Sequence, residues 1–406
     1  MNIEERFIRY CRIDTQSDPN NDAVTPSTEK QFELAKVLKA ELDELGLENV
    51  QLDEHCYVYG WLPSNLDHET ETVGFIAHMD TAPDYSGTGV NPRIIEKYDG
   101  KDIPLSDTVT MKVEDFPDLV KAEGKRLIVT DGSTLLGGDD KAGVAAIMDT
   151  LQYYHDHPEV KHGRIAIGFT PDEEIGNGPK YFDIEKFCAD FAYTMDGGDI
   201  DELSDETFNA ASAKLTFHGF SIHPGSAKNK MINAAALACE YQNLLPEHMT
   251  PEHTEGREGF IHLIGINASS ASAVSEYIIR DHDRTKLNEK KKLMEDAVTY
   301  MNALHGEGTV EIEIVDAYHN MKEVLDEHPS AVNTARKAMH ALGLKAVSDP
   351  VRGGTDGAEL SLRGLPCPNL GNGDRNCHGR YEYVIVEEME KSSELIRKII
   401  EVITEA

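Results

Sequence analysis

Three short apolar runs in this chain each lead directly into acidic or imidazole side chains, and this recurrence limits the folds open to it. The runs are Val73–Ala77, Arg164–Thr170 and Phe191–Thr194, which precede His78, Glu173-Glu174 and Asp196. Between the first two runs, Lys141–Tyr154 carries apolar residues at helical spacing. Strands that alternate with helices predict an α/β fold, with a mostly parallel sheet covered by helices. Because ligands of such sheets collect beyond the carboxyl ends of the strands, the polar clusters predict a site there.

The sequence pattern changes after the third run. The predicted order becomes strand, helix, two strands, helix, strand, and the outer strands alternate apolar with polar residues, as around Leu215 and Phe217. Such alternation is typical of an antiparallel sheet with one solvated face. The order is that of a ferredoxin-like module. We therefore predict a main domain in two parts, 1–208 and 318–406, with an inserted α+β domain, 209–317.

Length, charge and cysteine usage exclude several classes of protein. A chain of 406 residues exceeds the usual size of one hydrophobic core, so two domains are expected. The formal net charge of −34 argues against nucleic acid and against an anionic membrane surface, since both attract basic proteins. No apolar run approaches the roughly 20 residues that span a bilayer. Six scattered cysteines indicate free thiols, so we expect a cytoplasmic protein.

One helix is clearly marked near the N-terminus. Thr28 and Gln31 have the spacing of a capping box, and the apolar residues that follow, from Phe32 to Leu45, recur at helical spacing. Gly46 is a stop signal. These signals predict that the first helix of the chain begins after Thr28 and ends at Gly46.

His78 and Asp80 are two residues apart at the predicted end of a strand. In extended backbone both side chains leave the same face. This arrangement suits an imidazole that binds a metal through one ring nitrogen and donates the other to a carboxylate. An ordinary surface pair is the alternative.

Glu173 and Glu174 are adjacent, so at a strand end they point apart and we expect them to have different roles. One carboxylate can bind a metal, while the other acts as a base on water whose pKa the metal lowers towards about 7. The alternative is an acidic solvated turn.

Two further acidic clusters can be interpreted either as structural residues of a helix cap or turn, or as metal ligands. Asp139 and Asp140 precede a helix, where a carboxylate can simply cap the helix, and Asp196 precedes two glycines in a predicted turn. A carboxylate there can also bridge two cations about 3.5–4 Å apart. The recurrence of such clusters at several strand ends favours a metal site. Histidine and carboxylate ligands without thiolate suit zinc, cobalt or manganese.

Longer strings in the chain carry a resemblance to a known family. The order H-x-D, D-x-K-x-G, E-E, D-G-G and a late H-G is similar to that of the M20 family of dinuclear zinc peptidases. The strings that narrow the resemblance are Gly74–Asp84, Phe169–Glu174, His223–Gly225, Tyr277–Asp281, Arg352–Gly357 and Leu365–Leu370. They look like the tripeptide aminopeptidase branch of that family, and the resemblance runs from about Thr15 to the last helix. It implies a catalytic α/β domain interrupted by a lid domain.

The resemblance implies a role for each candidate residue. The metal ligands would be His78, Asp139, Glu174, Asp196 and His378. Asp139 would bridge two zinc ions per subunit, with cobalt or manganese as possible substitutes, although the doubled aspartate leaves open whether Asp139 or Asp140 bridges. Glu173 would be the general base, and Asp80 the carboxylate that supports His78. The substrate-binding residues would be His223, Arg280 and Arg352, with His223 reaching the partner subunit's active site in a homodimer formed through the lid.

The activity implied by the resemblance is hydrolysis of tripeptides with release of the N-terminal residue. A dinuclear zinc centre with a bridging water would carry it, with a glutamate as general base. Related dipeptidase, carboxypeptidase or deacylase activity on the same metal core is an alternative. A peptide-binding protein without catalysis is another, which the intact Asp80 and Glu173 argue against.

Overall fold

A computed structural model describes residues 1–348 and 350–406. The chain forms two compact units. The first contains Met1–Asp205, Thr355–Ala406 and the segment that begins at Glu323, and the second contains Glu206–Lys322 with Pro350–Gly354. The domain limits of 209 and 317 drawn from the sequence stay a prediction, and so does the lid role of the inserted domain.

The helices and strands of the described residues are numbered in chain order. The helices are α1 Ile3–Cys11, α2 Gln31–Glu44, α3 Gly138–Asp156, α4 Ile184–Phe187, α5 Ala234–Leu244, α6 Arg284–His305, α7 Lys322–Glu327, α8 Ser330–Ala341, α9 Asp356–Leu362 and α10 Val386–Thr404. The strands are β1 Glu48–Leu52, β2 Val58–Leu62, β3 Val73–His78, β4 Arg93–Ile95, β5 Ile103–Pro104, β6 Thr110–Met111, β7 Leu127–Val129, β8 Ile165–Thr170, β9 Phe191–Gly197, β10 Leu203–Ser204, β11 Asn209–His218, β12 Phe260–Ala268, β13 Ser272–Asp281, β14 Val310–Tyr318, β15 Asn369–Gly371, β16 Asp374–Arg375 and β17 Tyr383–Ile385. None of these helices is both long and apolar enough to cross a membrane.

A seven-stranded sheet forms the centre of the first unit, in the order β1-β2-β8-β3-β9-β15-β10. The neighbours β8, β3, β9 and β15 run parallel. The edge pairings β1–β2, β2–β8 and β10–β15 are antiparallel. For β1–β2 the reason is the short connection, which cannot make the crossover that parallel strands need. The predicted α/β class is confirmed, with a mixed sheet whose parallel part is its centre. β3 and β8 are buried along their whole length, which explains their continuous apolar sequences.

A smaller antiparallel sheet lies beside the N-terminus of α3 in the first unit. Its order is β16-β17-β7-β4, and β17 pairs with β7 from Tyr383–Val129 to Ile385–Leu127. This pairing places β17, which lies late in the chain, against β7, the last strand before α3. The loop between β16 and β17 contains His378.

The second unit is a four-stranded antiparallel sheet in the order β12-β13-β11-β14. Its apolar face forms one core with residues of α5 and α6, including Tyr241 and Met294. The element order and strand order are those of the predicted ferredoxin-like module. The alternation around Leu215 arises because every second side chain of β11 enters that core.

The structure corrects the prediction for the N-terminal helices. A helix precedes the predicted one: α1 begins after Asn2, which accepts a hydrogen bond from Glu5 N at 2.8 Å while the Glu5 carboxylate accepts from Asn2 N. The capping box expected at Thr28 is wrong. The Thr28 hydroxyl donates instead to the carbonyl of Gln16 at 2.8 Å, and α2 begins at Gln31 without a side-chain cap. The Thr28 hydroxyl thus donates to a residue outside the helix and does not cap α2.

Candidate metal centre

The candidate ligands come from five separate segments of the first unit. His78 ends β3 and Asp196 lies near the end of β9, while Glu174 lies in a short turn after β8. Asp139 lies at the start of α3, and His378 lies in the loop between β16 and β17. Because β3, β8 and β9 are parallel neighbours, their carboxyl ends meet at one edge of the sheet.

The side chains meet around Asp139. Its Oδ1 lies 2.8 Å from His78 Nε2, and the same imidazole nitrogen lies 3.6 Å from Asp196 Oδ1. Its Oδ2 lies 3.2 Å from His378 Nε2, which in turn lies 3.0 Å from Glu174 Oε2. The two oxygens of one carboxylate therefore face two different pairs, each made of one histidine and one acid.

Asp140 lies next to Asp139 but makes different contacts. Its Oδ2 accepts a hydrogen bond from His78 N at 3.2 Å, and its Oδ1 accepts from Asn372 Nδ2 at 2.8 Å. These bonds tie the Asp140 carboxylate to the backbone of β3 and to Asn372. Of the two neighbouring aspartates, Asp139 is the one whose carboxylate lies between the histidines.

Asp80 links the histidine strand to the glutamate turn. Its carboxylate is fully buried and accepts hydrogen bonds from Glu173 N at 3.0 Å and from Glu174 N at 3.2 Å. Its Oδ1 also lies 3.4 Å from His78 Nδ1, whose hydrogen bond is with the backbone carbonyl of Asp80 at 3.1 Å. Asp80 thus holds the backbone of both glutamates through its carboxylate and contacts the imidazole mainly through its carbonyl.

Burial and mutual repulsion dominate the electrostatics of this cluster. Desolvation and then the charge of Asp139 raise the pKa of Glu174 to about 8, and desolvation raises the pKa of Asp196 to about 6. Desolvation would also raise the pKa of Asp139, but hydrogen bonds from His378 and His78 outweigh it and hold that pKa below its usual value. The same contacts with Asp139 and Glu174 raise the pKa of His378 to about 11. The cluster therefore concentrates negative charge in a buried space and stabilises positive charge there.

The donor set fits divalent metal ions. Ligand atoms of His78, Asp139 and Glu174 lie within 4.8 Å of one another, and so do those of His78, Glu173 and Asp196. Within residues 1–348 and 350–406, the buried Glu174 Oε1 has no hydrogen-bond partner, and its side chain is only 3% exposed. A buried carboxylate oxygen without a donor is costly unless a cation binds it. Imidazole and carboxylate donors suit zinc and its first-row neighbours.

The three candidate substrate-binding residues lie in the second unit. His223 is exposed, and its Nδ1 accepts a hydrogen bond from Gly225 N at 3.1 Å. Arg280 Nη1 donates to the carbonyls of Ala211 and Ile279, and its guanidinium lies over the ring of Tyr318.

Arg352 makes several bonds within the second unit. Its Nη1 donates to the carbonyls of Gly256 and Glu258 at 2.7 Å each, and its Nη2 donates to Thr254 Oγ1 at 3.0 Å. The guanidinium also lies over the ring of Phe208. These contacts hold the 254–258 segment in place.

Three other titratable residues lie near the cluster, of which the sequence drew attention only to Cys377, as an unfavoured catalytic pair with His378. Cys377 Sγ lies 3.3 Å from Asp374 Oδ2, and both lie within metal-ligand reach of Asp139. Asp356 is buried and accepts a hydrogen bond from Thr170 Oγ1 at 3.1 Å. The only signal for the two aspartates was their position inside or beside strings already noted, since Asp356 lies in Arg352–Gly357.

Known proteins resemble this chain in a family sequence model, in whole-chain sequence and in fold. Residues 129–402 match the model of the peptidase family M20/M25/M40. A peptidase T of Clostridium acetobutylicum is 51% identical over 405 residues, which cover 99% of each chain. A tripeptidase of Staphylococcus aureus has a similar fold, with a TM-score of 0.79 at 22% identity over 100% of this chain and 98% of the other. A dinuclear metal-binding M20 peptidase of Bacillus subtilis covers 99% of each chain with a TM-score of 0.65 at 14% identity.

The two structural likenesses concern the fold, whereas the family model and the curated relative concern the sequence along most or all of the chain. On that basis the chain belongs to the peptidase T group of peptidase family M20/M25/M40 and is a peptidase.

Proposed function

We propose that this protein is a tripeptide aminopeptidase that works with two divalent metal ions, zinc first among them. The observation that carries the proposal is the position of Asp139, whose two oxygens face separate histidine–acid pairs. The names of the relatives support the substrate class, since one is a peptidase T and another a tripeptidase. The Bacillus subtilis neighbour supports the number of ions, because it is described as a dinuclear metal-binding peptidase.

Each half of the cluster would hold one ion. His78 and Asp196 would hold the first and His378 and Glu174 the second, with Asp139 shared between them. Bound divalent cations supply Lewis acidity, which polarises the scissile carbonyl and lowers the pKa of water. Cobalt or manganese would be substitutes with the same ligand preferences.

Glu173 is the proposed general base. Its carboxylate would take a proton from the attacking water and pass it to the leaving amine, which is the usual work of a positioned carboxylate. Burial and then the charge of Asp196 raise the pKa of Glu173, so this carboxylate holds a proton more readily than one in water. Asp80 would keep Glu173 in place through the hydrogen bond from its backbone amide.

The second unit is proposed to bind the substrate and to form a homodimer. His223, Arg280 and Arg352 are the proposed contacts to the peptide, with the two arginines at its terminal carboxylate or backbone, since a guanidinium binds carboxylates well. Each arginine would have to exchange the bonds that it makes to backbone carbonyls of the second unit before it could contact substrate. The six cysteines are free, which fits the reducing cytoplasm proposed as the protein's location.

A peptide panel tests the proposed reaction. Zinc-loaded protein would be given di-, tri- and tetra-alanine, together with N-acetylated tri-alanine. We expect fast release of the first residue from the tripeptide alone. A site that binds both the free amine and the terminal carboxylate selects peptides of one length. Preferred cleavage of the dipeptide, of the blocked peptide, or of the C-terminal residue would instead indicate a dipeptidase, a deacylase or a carboxypeptidase.

A further inference from the structure

We propose that Glu382 is a positioning residue that fixes the segment carrying Asp139 and so sets the geometry of the metal centre. The inference rests on the proposed metal centre. Glu382 lies in the loop between β16 and β17, four residues after His378, and it is 2% exposed.

The Glu382 carboxylate accepts three backbone hydrogen bonds from the segment that leads into α3. Oε2 accepts from Leu136 N at 2.7 Å and from Gly137 N at 2.8 Å, and Oε1 accepts from Asp139 N at 3.1 Å. Buried backbone amides outside regular secondary structure need an acceptor, and a charged acceptor binds them more strongly than a neutral one. The backbone that carries Asp139 is therefore held by one buried carboxylate.

The glycines before Asp139 make this close approach possible. A Cβ on Gly138 would lie 3.1 Å from Glu382 Oε1 and 2.7 Å from Val384 Cγ2. Gly137 has a φ of 81°, a conformation that side chains disfavour. Gly138 is thus required by the contact with Glu382 and Val384, and Gly137 by its backbone conformation.

Glu382 also connects to the segment of His378. Its backbone N–H donates to the carbonyl of Gly379 at 3.3 Å. The same residue therefore links the two segments that place His378 Nε2 at 3.2 Å from Asp139 Oδ2. Loss of its carboxylate would free the Asp139 backbone while every proposed ligand stays present.

The experiment is zinc binding by Glu382→Gln, measured by competition with a chromophoric chelator. A glutamine must turn its NH2 group towards at least one of the three backbone donors, so the segment should shift. Loss of a residue that orients a metal ligand typically weakens metal binding by roughly 10- to 100-fold, and we expect that loss here. At saturating zinc, kcat should fall while the KM for a tripeptide stays unchanged, since no substrate contact is removed.

A matched control separates positioning from stability. Glu41 is also a nearly buried carboxylate in the first unit, and it accepts from three donors on Arg6, Arg9 and Tyr10. It makes none of its bonds with the Asp139 segment. Glu41→Gln should lower the melting temperature but leave zinc affinity and kcat unchanged.

Two results would overturn the proposal. If the wild type binds two zinc ions and Glu382→Gln binds them with equal affinity, Glu382 only stabilises the fold. If that variant does not fold, Glu382→Asp keeps the charge with a shorter reach, and unchanged zinc affinity there would have the same meaning. Wild-type protein that holds fewer than two zinc ions would overturn the metal centre and this role with it.

Discussion

At the scale of single residues, the centre is organised by carboxylates that hold backbone amides. Asp80 accepts from the amides of Glu173 and Glu174 and lies beside the ring of His78. Asp172 has a similar task one residue earlier, where its carboxylate accepts from Ser27 N at 2.7 Å. Such bonds are stronger than those between neutral groups, so they can fix a turn that has no regular secondary structure.

Asp80→Asn is expected to weaken zinc binding by roughly 10- to 100-fold, because the NH2 group of the asparagine would face one of the two glutamate amides that the carboxylate now holds. Zinc competition against a chelator measures the effect. Asp131→Asn is the control, since Asp131 also accepts two bonds, both from Ser133, but lies in an exposed turn. Equal zinc affinity in both variants would remove Asp80 from the supporting role.

Glu173→Ala is expected to keep its zinc and to lose about 10²- to 10⁴-fold in kcat, which is the usual contribution of a general base. Metal analysis and tripeptide turnover on the same sample give both numbers. Turnover within a few-fold of the wild type would assign the base to another group. Loss of zinc along with activity would instead make Glu173 a ligand.

The sequence predicts the identity of the clustered residues better than their individual contacts. Acids and imidazoles at strand ends were visible because they follow apolar runs, whereas His378, in a late loop, was identified through the family resemblance. The structure brings His78, Asp139, Glu174, Asp196 and His378 together. The resemblance favoured Asp139 over Asp140 but left the choice open. That choice depends on Asn372 and on the backbone of His78, which are far from Asp140 in the chain.

At the scale of secondary structure, α3 and β9 lie so close together that one added methyl group between them would clash. A Cβ on Gly143 would lie 2.4 Å from the carbonyl oxygen of Met195 and 2.5 Å from Asp140 Oδ1. α3 carries Asp139 and β9 carries Asp196, so the spacing of these two elements sets the spacing of two proposed ligands.

Gly143→Ala is expected to lower the free energy of unfolding by about 1–3 kcal/mol, as overpacking of a core usually does. It should also reduce tripeptide turnover, because α3 would be displaced from β9. Thermal unfolding and kinetics check the two effects. Gly353→Ala adds the same methyl group where no atom of the described residues lies within 4 Å, and its unfolding should be unchanged. A Gly143→Ala protein as stable as that control would contradict the close packing.

Helix prediction from local signals succeeded where packing agreed with them and failed where it did not. The apolar spacing between Phe32 and Leu45 predicted α2, whose Leu34, Leu38 and Leu42 are buried. The Thr28 cap failed: its hydroxyl donates to Gln16 and accepts from the side chain of Gln31, and no side chain caps α2. α1 was not predicted, although Asn2 and Glu5 have capping-box spacing.

At the scale of the whole molecule, the dominant property is excess negative charge. The chain has 73 acidic and 39 basic side chains. Two divalent metal ions would neutralise only a small part of the resulting charge of −34. The remainder destabilises the compact state through self-repulsion, and salt screens it.

Raising potassium chloride from 0.05 to 1 M at pH 7.5 is expected to raise the melting temperature, since the screening length falls from above about 10 Å to roughly 3 Å. Scanning calorimetry measures the change. The same series near pH 5, close to the isoelectric point of 4.8, is the control and should show a smaller rise. A melting temperature that falls with salt at pH 7.5 would mean that attractive ion pairs dominate.

The central claim is that Asp139 lies between two metal ions, and anomalous scattering at the zinc edge from crystals grown with zinc tests it most directly. We predict two peaks, one beside His78 and Asp196 and one beside His378 and Glu174, with one oxygen of Asp139 towards each. A single peak, or two peaks away from Asp139, would contradict the account.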